Sequence, residues 1–203
     1  MPYSQFNLSK VKEDFNLSTV EGTRFFPVDV ERIPPSSRLM GILEELPWAI
    51  AVDTEKARSE VIINPVLLEV RRIMNQKISL FSGEEFNVDV AAGLNGVCDF
   101  LISLSPEQLV VEAPAVIIVE AKKSDLKSGI GQCIAEMIAA QKFNQAKNQP
   151  IKTIYGTVSS GTQWRFLKLE EKTVTIDLTD YPLPPVEQIL GFLVWMVKGS
   201  GEQ

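Results

Sequence analysis

The chain has 203 residues, 45% of them hydrophobic and 23% charged, which suits one globular domain with room for a small added lobe. A formal net charge of −6 argues against coating nucleic acid through the overall field, though not against meeting a phosphate chain at one cleft. Histidine is absent, which excludes Ser-His and Cys-His nucleophiles, His-ligated zinc and imidazole acid–base chemistry.

Residues 1–10 lack a charged region followed by an apolar stretch, so no signal peptide is expected. The apolar run 189–197 is too short to span a bilayer. Cys98 and Cys133 both stand among apolar residues, so a reduced, cytoplasmic protein without a membrane is expected.

In chain order, residues 1–37 read as an irregular arm, with a short helix at 8–15 and with Phe25, Phe26 and Val28 packing it on the domain. Ser36 or Ser37 caps a helix through Leu39, Leu43 and Leu46. Thr54 caps the next helix, whose apolar stripe runs through Val61, Ile62, Val66, Leu67, Val70 and Ile73. Pro65 must kink that helix or divide it.

Residues 77–81 and 86–90 read as strands joined by a turn at 82–85. A strand at 97–102 carries Asp99. The run Val116-Ile117-Ile118-Val119 predicts a strand at 115–122 buried on both faces, ending in Glu120-Ala121-Lys122. Ser124 or Asp125 caps a long helix over 126–144. Strands at 153–158, 163–169 and 173–178 follow, and Pro184-Pro185 opens a final helix.

The sum is an α/β fold with a mixed central sheet flanked by helices, the parallel pairing coming from the crossover after residue 122. Residues 1–53 form an arm and helix packed on a core of 54–180, and 181–203 add a C-terminal helix to what is one domain overall. The apolar final helix fits either a homodimer contact or burial within one subunit.

Glu120 and Lys122 are two apart and leave the same face of their strand. A carboxylate and an ammonium at a buried strand end are costly unless they pair, bind a metal or act on a substrate. If the two central strands pair antiparallel, Asp99 lies beside Glu120. Two carboxylates side by side take up a proton or are bridged by a cation, and hard oxygen donors suit Mg²⁺ or Mn²⁺. Lys122 can then orient a water or stabilise charge on a phosphate. Glu60, at the start of its helix, can point onto the sheet. Gln132 shares a helix face with Glu136 and can serve as a helper on substrate or water.

Glu60 in Ser59-Glu60-Val61-Ile62-Ile63-Asn64-Pro65, Asp99 in Gly96-Val97-Cys98-Asp99-Phe100, Glu120-Ala121-Lys122, and Gln132 together resemble the PD-(D/E)xK nuclease superfamily. The Ser-Glu helix resembles the N-terminal nuclease domains of type I restriction enzymes, and the hairpin 155–166 is similar to the strand pair that follows the core helix there. The resemblance covers about 54–178. It implies a restriction endonuclease-like fold and Mg²⁺-dependent hydrolysis of phosphodiester bonds, in DNA rather than RNA. By that resemblance Asp99, Glu120 and the Ala121 carbonyl ligate the metal, Glu60 completes the acidic site and Lys122 positions the attacking water. Cys98 stands where the superfamily's proline is usual, and Asp89 competes with Asp99 for the aspartate position. A fold that has lost turnover and serves as a binding or regulatory module is the second reading. An unrelated Mg²⁺ enzyme is the third, with no phosphate-binding glycine loop to support it.

Overall fold

A computed structural model of the chain describes residues 2–22 and 24–201. A 3₁₀ turn at Tyr3–Gln5 leads into α1 (Leu8–Phe15), whose Asn7 side chain accepts from the Lys10 amide. The strand β1 (Ser18–Glu21) follows. Next come α2 (Ser37–Leu43), α3 (Leu46–Val52), α4 (Glu55–Arg58), a π-helical turn at Ser59–Ile63, and α5 (Asn64–Ile73). The strands β2 (Ser79–Glu85), β3 (Val97–Ser103) and β4 (Ala115–Ala121) precede α6 (Leu126–Ala146). The chain then builds β5 (Thr153–Ser159), β6 (Gln163–Glu170), β7 (Thr173–Ile176) and β8 (Tyr181–Pro182), and closes with α7 (Val186–Gly201).

The architecture is α/β, with one mixed sheet of eight strands in the order β1-β7-β6-β5-β4-β3-β2, and β8 paired to β6. β4 runs parallel to β5 and β1 parallel to β7; the other pairs are antiparallel. Every residue of β4 is buried because both faces of the strand are covered. Ile117 and Val119 join Phe100, Ile102, Phe166 and residues of α5 and α7 on one face. Ile118 joins Leu101, Val158, Leu167 and residues of α6 and α1 on the other. This is why an uninterrupted apolar run, rather than an alternating one, marks the strand.

Several elements differ from their sequence expectation. The expected turn at 82–85 is the second half of β2, and residues 86–90 form no strand among the described residues. Pairing of Ser82, Glu84 and Glu85 with Phe100, Cys98 and Val97 overrides the turn-like composition, and Asp89 bridges Leu94 within a reversal instead. The helix expected to run from Leu39 to Leu46 stops after Leu43, and Leu46 begins α3 with Pro47 in its first turn. Val28, expected to pack, is 91% exposed, while Phe26 stacks on Phe192 with ring centroids 4.1 Å apart. Residues 1–53 do more than cover the core: β1 forms one edge of the sheet.

The division at Pro65 occurs as a π-helical turn, after which Pro65 enters α5 in its first turn, where a missing N–H is tolerated. Buried Ile189, Leu190, Phe192, Leu193 and Met196 place α7 in the core of a single chain, which accounts for its apolar composition without a second copy. No helix among the described residues is long and apolar enough to cross a membrane.

Candidate functional site

The β3–β4 ladder pairs Phe100 with Val119, so Asp99 and Glu120 face each other one step further on. The antiparallel pairing therefore brings the two carboxylates to one spot. Asp99 Oδ2 accepts from the Ala121 amide at 2.8 Å. Glu120 is 1% exposed; its Oε1 pairs with the Lys122 ammonium, and its Oε2 is buried with no hydrogen-bond partner. The Lys122 amide donates to the Ser159 carbonyl at 2.8 Å, extending the β4–β5 edge by one residue.

Gly129 on α6 makes room for the lysine. A Cβ there would stand 3.1 Å from Lys122 Cγ and Cε and 2.8 Å from Val158 Cγ1, so a larger residue would push the lysine stem aside. On the other side of Asp99 lies the edge strand β2. Its register sets Gly83 opposite Asp99, with φ +66° and open space where a side chain would stand. A pocket of about 250 Å³ opens here, lined by Glu55, Ser59, Glu60, Ser82, Gly83, Asp99 and Ala121 among others.

Glu60 thus reaches the same pocket as Asp99 and Ala121, but at its exposed rim, 3.3 Å from the Lys56 ammonium. Glu55, at the start of α4, lines the same pocket, and its charge acts on both Glu120 and Lys122. Five residues apart on a straight α-helix, at ~100° per residue, the two acids would diverge. The wider π-helical turn offsets part of that angle. Glu55 went unread because an acid in a first helical turn has a sufficient explanation in the helix dipole.

Gln132 does not stand alone. Its Nε2 donates to Glu136 Oε1 at 3.1 Å, and Glu136 is fully buried with Oε2 unpartnered. Glu136 was legible only as a neighbour of Gln132 on a helix face. Its burial comes from α6 lying against β4 and β5, which spacing alone does not reveal.

The electrostatics follow from this crowding. Burial, then the Asp99 charge, push Glu120 up to about 8 despite Lys122. Burial, then the Glu120 charge, raise Glu136 well above the carboxylate range. Asp99 is also raised by burial, against the Ala121 amide and the Lys122 charge, which work the other way. For Lys122, burial disfavours the ammonium, but Glu120 outweighs it and holds the lysine above its ordinary value. Buried Glu120 and Glu136 and half-buried Asp99 feel one another's charge with only Lys122 to offset it.

The competing Asp89 lies elsewhere: it pairs with Lys142 at 2.8 Å and accepts from the Ala92 amide at 3.0 Å. Of the other basic residues, Arg58 and Lys123 both pair with Asp53, and Arg72, on α5, pairs with Glu69. Trp164 is fully buried, its Nε1 donating to the Gly161 carbonyl at 2.9 Å, so it offers no stacking face.

No protein-family model matches this chain, and no solved structure matches it. The site's chemistry therefore rests on its own residues. Among the described residues, no three acidic or thiol side chains converge as a ready metal cage. The donors present still fit a hard divalent cation. Asp99 and Glu120 offer carboxylate oxygens, one of them buried and unpartnered, and water or substrate oxygens commonly complete such a shell.

Proposed function

We propose that this chain is a Mg²⁺- or Mn²⁺-dependent nuclease of the PD-(D/E)xK type, with a restriction endonuclease-like fold, hydrolysing phosphodiester bonds in DNA in preference to RNA. The observation that carries the reading is the buried, partnerless Glu120 oxygen beside Asp99 and Lys122. The order of β3, β4, α6 and β5, with β4 antiparallel to β3 and parallel to β5, supports the fold assignment.

On this reading Asp99, Glu120 and the Ala121 carbonyl hold the cation, with Glu60 at the pocket rim completing the acidic shell. The cation supplies a water of lowered pKa and offsets charge on the scissile phosphate. Glu120 must lose its proton to take part, which favours activity as pH rises towards about 8. Lys122, 21% exposed, would orient the attacking water or meet the phosphate. Gln132 donates to Glu136 behind them and steadies that buried acid. Glu55 adds negative charge beside the pocket, which strengthens cation capture.

One observation favours the second reading, a binding or regulatory module without turnover: Lys122 already occupies one Glu120 oxygen, and no acidic triad is assembled among the described residues. Incubating supercoiled plasmid DNA with the chain and Mg²⁺ or Mn²⁺ separates the two. A nuclease nicks or linearises the plasmid, stops when a chelator is added, and is inactive as Asp99→Ala or Lys122→Ala. Intact plasmid at every metal concentration, with retained DNA binding, selects the module.

A further inference from the structure

α3 has the sequence Leu46-Pro47-Trp48-Ala49-Ile50-Ala51-Val52, without one charged or hydrogen-bonding side chain except the indole. A helix apolar all round is ordinarily buried. Here only Ala49 is buried, while Trp48 is 52% exposed and Ile50 and Val52 are exposed as well. Beside it, Met40 on α2 is 50% exposed. Between α2, α3 and the start of α7 lies a groove of about 460 Å³, its floor made by Leu43, Leu46, Leu183 and Val186 and its walls by Met40 and Pro47. That volume is in the range of pockets that enclose a bound group. The groove shares no lining residue with the pocket at Asp99.

The charges on the groove say what covers it. Glu44 and Glu187 line it, and no lysine or arginine does. Glu45 stands next to Glu44, exposed. None of these three acids forms an ion pair among the described residues. A second copy seated across a two-fold axis would bring its own Glu44 and Glu45 to the same face, in a chain of net charge −6, setting acid against acid. A partner with apolar side chains flanked by positive charge meets both the apolar floor and the acidic rim.

We propose that this groove and the exposed face of α3 form a docking site for an amphipathic helical segment of a partner protein, leucine- or phenylalanine-rich on one side and lysine- or arginine-rich at its edges. Such a segment lays its apolar face into the groove in the manner of helix-in-groove recognition. Its basic edges pair with Glu44, Glu45 and Glu187. The site acts independently of whether the chain cleaves DNA.

The test uses the full chain and a synthetic 14-residue helical peptide of leucine and lysine at amphipathic spacing, with glutamate-for-lysine and serine-for-leucine counterparts. Trp48 reports, because Trp164 is fully buried and Trp195 partly so, and Trp48→Phe gives the background. The leucine–lysine peptide is expected to shift the Trp48 emission to the blue and to bind at least about tenfold more tightly than either counterpart. Met40→Asp weakens it by about tenfold. Glu44→Lys combined with Glu187→Gln, surface changes that leave the floor intact, removes the preference for lysine. Equal binding of the lysine and glutamate peptides overturns the proposal, as does a preference that survives the double charge change. A dimer in sedimentation that Met40→Asp dissociates also overturns it, by assigning the groove to a second copy.

Discussion

Glu69 on α5 and Glu120 on β4 are both buried carboxylates, at 5% and 1% exposure, yet they sit in opposite states. Glu69 accepts from the Ser36 amide at 2.7 Å and hydroxyl at 3.0 Å, and from Arg72 through two nitrogens at 2.8 and 3.0 Å. The Arg72 hydrogen bond, against some burial, holds it below the ordinary carboxylate range. Glu120 has one lysine, a facing aspartate and an oxygen with no partner, and is pushed up to about 8. Burial is common to both, so burial alone does not mark a working site. Incomplete satisfaction separates the two: one acid tethers α2 to α5, while the other keeps an unpartnered oxygen, which on the proposed reading would exchange a proton for a cation.

The comparison can be broken in four ways, from the largest effect to the smallest. If Lys122 works on the reacting phosphate or water, Lys122→Ala lowers the single-turnover cleavage rate by about 10²-fold or more, while Arg72→Ala leaves it unchanged. Removing the satisfied acid has the opposite signature. Glu69→Ala strands the Ser36 donors and is expected to cost about 2 kcal/mol in urea unfolding, with no loss of cleavage.

Glu136→Gln removes a buried acid supported by Gln132 and the neighbouring Cys98 thiol, without a cation of its own. It is expected to stabilise the fold by about 1 kcal/mol at neutral pH, read as a higher urea midpoint with unchanged slope. A lower midpoint would mean that Glu136 is held by something stronger than Gln132.

The last difference is a slope against pH. The folded-state pKa of Glu120 lies above the unfolded value, so between the ordinary 4.5 and about 8 the folded chain binds the extra proton. Stability from this group is therefore greatest below about 4.5, falls as pH rises, and levels off above about 8. Glu69, with a lowered pKa, contributes stability at neutral pH that is lost on acidification. Glu120→Gln should flatten the decline towards pH 8, and Glu69→Gln should flatten the acid limb. Manganese should offset the Glu120 decline in the wild type, since it competes with the same proton.

Much of the centre was legible. The unbroken run before Glu120 reads as a strand covered on both sides, and consecutive strands are commonly neighbours, so an antiparallel pair setting Asp99 beside Glu120 could be posed as a condition from sequence, and the ladder meets it. The helix starts follow from capping side chains: Thr54 caps as expected, and of the paired candidates Ser36 and Asp125 are the ones that accept a free amide. What escaped depended on distant partners. β1 is four residues long and becomes a strand only because β7, some 150 residues later, offers its edge. Phe86, Val88 and Val90 alternate like a strand but find no ladder. Glu55 and Glu136 look like ordinary helix acids until packing gives each its neighbours.

The π-helical turn at Ser59–Ile63 carries a consequence for how the acidic rim evolves. It is an α-helix with a spare residue, and a one-residue deletion there would let the coil tighten into ordinary winding. α5 would keep its seat in the core, while α4, Glu55 included, would turn by roughly 100° about the helix axis relative to Asp99. The spare residue therefore sets which way the rim faces, and because Ala57, Arg58, Ile62 and Ile63 are buried around it, its loss would also force the core beneath to repack.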